Sequence, residues 1–504
     1  MSYKPASMES INLLYANMGR NFTQFTPLLC SFVDLYERLK QVDKTIFSDE
    51  FQLNELTLFS ELIKLNIASM IINMDLSTFL RANFRSVSII EKRCNLKYIN
   101  VITNEGFKYF FGIKDDKKNA IWSKFKKNVK QIKDEDLNND LLKVIACADE
   151  FESKYVQPKD SRSRNLSVHY DKNPVFVYND IIRISENDEV KRANAFLAIL
   201  EPLSFMISKY FNRNQDKLWK YFKSQKPYDL SLKEVINSFH DKSGELSIIL
   251  DDEIIKFGKR IDKIIQSSVQ PKLVASKLGL KSNFTKIFDP IVESIYPGLH
   301  LHFIFLDLAC AIKAYLHAGY YFEKQMNLRR IRIALYEGFK KIYGFTSHQE
   351  SNSFWRKSIY NMLHSSTDLA ITSKLATVEN RLNQLREYSD FKDDQKREYA
   401  VHYRYKEVDN MISIFHQLID SNPVLEMDKA IQLLRLLPEI LKLNNASLER
   451  VYKKFDRNIS SVNNHTRAKI DNIISMVEAA DIDEEMKKRT IESISEIKQY
   501  IPIK

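Results

Sequence analysis

The sequence predicts an all-α protein made of two related antiparallel helical-bundle domains, a tandem duplication with a helical connector and helical termini. Three observations predict it. Glycine is scarce, at 10 of 504 residues, and hairpin-rich folds need glycine for the positive φ angles of tight turns. Apolar residues recur at three-and-four spacing along most of the chain, the period of a helix with one buried face. A 23-residue stretch recurs 232 positions later without a gap.

The elements follow in order. Residues 1–55 read as an added N-terminal helical segment. The first domain, 56–215, holds the periodic stretches ELTLFSELIKLNIASMIINM from Glu55, NDLLKVIACADEFESKYV from Asn139 and KRANAFLAILEPLSFMISKYF from Lys191. Residues 216–294, with DDEIIKFGKRIDKII from Asp251, read as a helical connector. The second domain, 295–445, holds DKAIQLLRLLPEILKL from Asp428, and 446–504 form a charged helical tail. The stretches VFVYNDIIRI and LSIIL are strand-like in composition but fit buried helix equally well. Two copies near 150 residues are domain-sized, which excludes short solenoid repeats.

The repeat sets EKRCNLKYINVITNEGFKYFFGI, 91–113, against EKQMNLRRIRIALYEGFKKIYGF, 323–345, with 10 of the 23 positions identical. Gly112 and Gly344 close the two segments as a helix C′ glycine does. Tryptophan follows in both copies, at Trp122 and Trp355, and Pro202 corresponds to Pro438.

Composition narrows the function. The chain is 44% hydrophobic and 28% charged, an ordinary globular balance. Its net charge is +11, which suits a polyanionic partner such as nucleic acid. The four cysteines form no CxxC pair, which leaves no zinc spacing and fits reduced thiols in a reducing compartment. The N-terminus lacks a charged region followed by an apolar run, so a cytoplasmic protein is expected. The apolar stretch from Gly298, GLHLHFIFLDLACAIKAYL, includes His300, His302, Asp307 and Lys313; it predicts a buried core helix and no membrane span. His300 and His302 sit two apart and face different sides of a helix, unsuited to joint metal ligation. No GxxxxGK[ST], GxGxxG or HExxH occurs.

In the second half of each copy a shorter likeness appears. RNLSVHY, from Arg164, and REYAVHY, from Arg397, fall into register at an offset of 233. Each is Arg-x4-His. Arginine supplies a permanent planar cation that matches a phosphoryl group. Histidine exchanges a proton near neutral pH. A helix N-terminus beside them adds positive potential. Together they form a minimal kit for cutting RNA: histidine moves the proton at the 2′-OH or the leaving 5′-oxygen, and arginine stabilises charge building on phosphorus. Cleavage wants both a base and an acid. Two kits facing one cleft about a pseudo-twofold axis would supply them within a single chain.

The helical repeat with Arg-x4-His resembles the HEPN superfamily (higher eukaryote and prokaryote nucleotide-binding domains) over about 300 residues. The resemblance implies a metal-independent endoribonuclease without cofactors, of the kind found in antiviral defence, abortive-infection and toxin systems. It implies Arg164, His169, Arg397 and His402 as catalytic residues. Asn165 matches the polar position after the arginine, and Glu398 departs from it. Tyr170 and Tyr403 follow the histidines. Lys124, Lys126, Lys127 and Lys130, with Arg329 and Arg330 in NLRRIR, are the candidate RNA track. The implied partners are an RNA substrate and an inhibitory or activating protein, with the single chain acting as its own pseudo-dimer. The alternative is a non-catalytic helical protein that binds RNA or protein and keeps its Arg-His pairs for structure.

Overall fold

The computed structural model describes residues 8–41, 50–113, 117–118, 120–132, 134–156, 174–222, 243–277, 281–387, 410–420 and 422–479, with scattered positions from 484 to 495. The protein is all-α, and no strand occurs among the described residues. The first helices are α1 (Met8–Lys40), α2 (Glu50–Phe84), α3 (Ile89–Phe111), α4 (Ile121–Ile132), α5 (Glu135–Tyr155), α6 (Pro174–Arg183) and α7 (Glu186–Phe222). The next are α8 (Ser243–Lys277), α9 (Lys281–His317), α10 (Tyr321–Ile342) and α11 (Ser347–Asn352). A π-helical turn, Trp355–Tyr360, continues into a single turn, Asn361–Leu363. The last helices are α12 (Leu369–Glu387), α13 (Asn410–Asp420) and α14 (Pro423–Ala479). Both strand-like stretches are helical, in α6 and α8.

Local chemistry sets the repeated segments. The Ser88 hydroxyl accepts from the Glu91 N–H, and the Glu91 carboxylate accepts from the Val87 N–H. These bonds satisfy donors that a helix start leaves open. At α10 the Glu323 carboxylate accepts from the Gly319 N–H, 232 positions after Val87. Both segments end at a glycine with positive φ, 71° at Gly112 and 81° at Gly344. A Cβ at Gly344 would also lie 2.7 Å from the backbone of Gln349. Gly106 lies against Ile72, and Gly338 against Ile304, again at the 232 offset. These glycines let α2 approach α3, and α9 approach α10, closely.

Helices at matching places in the two halves have matching neighbours. α1 lies along α2 and touches α10; α8 lies along α9 and touches α3. α7 packs on α2, α3 and α5; α14 packs on α9, α10 and α12. α6 touches α3 of its own half and α9 of the other, and α13 touches α10 of its own half and α2 of the other. The cores are shared accordingly. The first includes Phe322, Met326, Met411 and Phe415 from the second half. The second includes Cys94, Val177 and Ile181 from the first half.

The boundaries expected at 56, 216, 295 and 446 all fall inside helices, α2, α7, α9 and α14. α8 lies along α9 as α1 lies along α2. Beyond 446, Ser447 bonds the Ser358 carbonyl on the π-helical turn, and Arg450 bonds the Met362 carbonyl on the single turn that follows it. The stretch Ser294–His317 is apolar and long enough to cross a membrane, with a mean hydropathy of 1.5, but 89% of that window is buried inside the protein. His300 stacks on Phe354, while His302 lies beside Phe257. The two histidines thus face different neighbours, as their spacing predicts.

Candidate functional site

Arg164, Asn165, His169 and Tyr170 lie outside the described residues, as do Arg397, Glu398, His402 and Tyr403. The helices that flank them are described. The first stretch lies between α5 and α6, the second between α12 and α13. The last turn of α5 is held by Tyr155, whose ring lies under Arg192, and Arg192 in turn donates to Asn100 of α3 at 2.8 Å. The last turn of α12 is held by Arg386, which donates to Glu350 at 2.7 Å, and by Asn383, which accepts from Tyr343 at 2.8 Å. α6 starts at the buried Pro174, five residues after His169. A chain that short reaches about 18 Å at most. The helices that follow the two stretches, α6 and α13, each touch both halves.

α4 carries the first-half lysines. Trp122, Phe125 and Val129 are buried at three-and-four spacing. That rotation leaves Lys124, Lys127 and Lys130 exposed on one stripe. Lys126 is half-buried at the edge of a pocket lined by Phe111, Lys117, Trp122, Asp149 and Glu152. Lys117 is paired with Glu152 there at 2.7 Å. In the second half, two arginines near the π-helical turn and at the end of α12 are neutralised within the fold. Arg356 pairs with Glu350 and Glu379, and Arg386 pairs with Glu350. Burial alone would raise the Glu350 pKa, but hydrogen bonds and charge from Arg356 and Arg386 outweigh it and lower the pKa below the usual range.

Arg329 and Arg330, expected on an RNA track, are internal. Arg329 is 7% exposed and meets Asp75 at 2.5 Å. Arg330 is 1% exposed; it donates to Asn95 at 2.5 Å and to the Cys94 carbonyl at 3.2 Å, with Tyr98 below the guanidinium. The physical reason is that α10 is packed between α9 and α14 of its own half and α1 and α2 of the other. Most of its faces are buried, so neither a nucleic-acid contact nor a solvated face is open to these arginines.

The seam around them is built from buried ion pairs. Asp75–Arg329 has its counterpart in Asp307–Lys97 at 2.6 Å, and both partners shift by 232. Arg81–Glu323 at 2.9 Å has its counterpart in Lys313–Glu91 at 2.7 Å, with the same shift. Asn95 and Asn327 donate to the Ala82 and Ala314 carbonyls, again 232 apart. Burial disfavours the Lys97 charge, yet Asp307 outweighs it and raises the Lys97 pKa. Lys313 is raised in the same way, its burial outweighed by Asp251 and Glu91. Sequence reading missed this seam because the alignment stopped at Glu91. Carried 16 positions upstream, it sets Asp75 against Asp307. Among the described residues no group of three or more His, Cys, Asp and Glu side chains is placed to hold a metal ion. Compared with known proteins, the chain matches no family model, no curated protein and no solved structure.

Proposed function

We propose that the protein is a metal-independent endoribonuclease with a composite active site, built by two HEPN-like units of one chain that arose by duplication. The observation that carries the reading is the recurrence of Arg-x4-His in matching intervals, α5 to α6 and α12 to α13, of two helical sets whose neighbours correspond. In this reading His169 and His402 exchange the base and acid roles, and Arg164 and Arg397 stabilise charge on the phosphoryl group. The crossing of α6 and α13 onto the opposite halves supports a shared cleft. The lysine stripe of α4 supports an RNA path entering from the first unit. Defence or toxin-type growth arrest is the setting the HEPN likeness suggests, with RNA as substrate and a protein partner as regulator.

The two copies are unequal. Glu398 stands where Asn165 stands in the first copy, and a carboxylate there weakens the local positive potential. That departure favours the second reading, an RNA- or protein-binding protein whose Arg-His pairs are structural. Incubation of labelled RNA with the full chain in EDTA separates the two. Cleavage by the wild type, reduced at least a hundredfold in both His169→Ala and His402→Ala, is the expected result. Cleavage unchanged in both variants, or absent from the wild type, would overturn the nuclease reading.

A further inference from the structure

A groove opens between α8, α9 and α14, away from the seam, with room of about 830 Å³. Lys256, Arg260 and Lys263 line it from α8 at spacings of four and three, and Lys442 lines it from α14. The single acid on its wall, Glu253, pairs with Lys256 at 2.9 Å. Arg260, Lys263 and Lys442 have no carboxylate partner among the described residues, so the wall carries a net positive charge of about three. At the floor lies His302, 7% exposed. Its Nδ1 donates to the Gly298 carbonyl one turn back, at 2.6 Å. That bond fixes the tautomer and leaves Nε2, on the far side of the ring, as the atom offered to the groove. Phe257 packs beside the imidazole and stacks on Phe305 at 3.7 Å, which holds the floor rigid.

The position 232 before His302 is Met70, so the first half carries no imidazole at the matching place.

We propose that this groove binds a phosphomonoester, whose dianion is met by Arg260, Lys263 and Lys442 and hydrogen-bonded by His302 Nε2 once that nitrogen takes up a proton from solvent. Lysine and arginine on facing helices suit a compact dianion. The bridge from Nε2 requires the imidazolium, because Nδ1–H is already committed to Gly298. In the free protein, burial outweighs the opposing hydrogen bond to Gly298 and, with the charge of Arg260 added, holds the His302 pKa below its usual value. The charged groups that line the groove around the ring are Glu253, Lys256, Arg260 and Lys263 from α8 and Lys442 from α14. Of these, the charge of Arg260 opposes protonation of the imidazole until an anion arrives. Binding then raises the pKa, so affinity grows as pH falls towards the free-protein value. The proposal is independent of the nuclease reading.

Calorimetry on the full chain tests it with inorganic phosphate, AMP, adenosine and a short RNA bearing either a 5′-phosphate or a 5′-hydroxyl. Phosphate and AMP are expected to bind saturably and adenosine not at all. AMP affinity is expected to be at least fivefold higher at pH 6 than at pH 8, with uptake of a fraction of a proton. An R260Q/K442Q variant, altered only at exposed positions, is expected to lose at least tenfold. His302→Gln is expected to abolish the proton uptake. The two RNAs distinguish the source: tighter binding of the phosphorylated one than of AMP marks an RNA end, and equal binding marks a free nucleotide. Absence of saturable phosphate and AMP binding, adenosine binding as well as AMP, or affinity unchanged in R260Q/K442Q would each overturn the proposal.

Discussion

At the scale of single residues, the most informative group is Lys97. It is 3% exposed, and the carboxylate opposing it is Asp307. Removing one member of a buried pair leaves a charge that the interior cannot solvate, at a cost of about 3–5 kcal/mol. Asp307→Asn is therefore expected to lower unfolding free energy by that amount at pH 7, measured by urea titration. Without Asp307, burial dominates and pulls the Lys97 pKa below its unfolded value. The group then binds fewer protons folded than unfolded, so the deficit shrinks as pH rises towards 10. A deficit that does not change with pH would contradict this account. The double variant Lys97→Met/Asp307→Leu is expected to recover most of the loss, because no orphaned charge remains.

His317 gives the opposite window. Its Nε2 lies 2.7 Å from the Ser247 hydroxyl. Burial first, then the charges of Arg85 and Lys313, lower its pKa, and Asp251 only partly opposes them. A histidine depressed in the folded state contributes stability that is present above its unfolded pKa of about 6.5 and is lost as pH falls towards the folded value. His302 adds to the same slope. Stability is expected to fall as pH falls below about 6.5, and His317→Gln is expected to flatten part of that fall in thermal unfolding followed from pH 5 to 8.

At the scale of elements, helix identity was legible and helix partnership was not. Three-and-four spacing locates α2, α5, α7 and α14, because a buried stripe leaves its period in the sequence whatever it packs against. Gly112 and Gly344 mark the ends of α3 and α10, because only glycine tolerates positive φ there without cost. The boundaries expected at 56, 216, 295 and 446 fall inside helices, because the feature that locates the helices does not mark their ends. Periodicity continues smoothly through a helix and carries no sign of where a repeat begins. NLRRIR shows the limit most clearly. On an isolated helix Arg329 and Arg330 read as solvent-facing, and only the second half's approach to α2 and α3 makes both interior. Of the candidate site, the lysine stripe of α4 was legible because its apolar complement, Trp122, Phe125 and Val129, fixes the rotation. The His302 groove was not, because its cations come from two helices that nothing local brings together.

At the scale of the whole molecule, the halves are completed by each other. Phe322, Met326, Met411 and Phe415 lie in the first core, and Cys94, Val177 and Ile181 in the second. Among the described residues, buried ion pairs cross between the halves, including Arg81–Glu323, Lys97–Asp307, Glu91–Lys313 and Asp75–Arg329, each made of one charge from either side. Separation would expose the apolar surface of both borrowed sets at about 25 cal/mol per Å². It would hydrate the charges, which offsets part of that loss. The apolar term is the larger because every borrowed side chain is buried, among them two fully buried aromatics, Phe322 and Phe415. A chain divided between α7 and α8, within 223–242, is therefore expected to give two fragments that aggregate or unfold without cooperativity when made singly. Co-expressed, they are expected to purify as a one-to-one complex that melts in a single transition. Since the pairs are buried, raising salt from 0.1 to 0.5 M is expected to leave that complex intact. Two fragments that each unfold cooperatively as stable monomers would show the halves to be independent domains joined by contact alone.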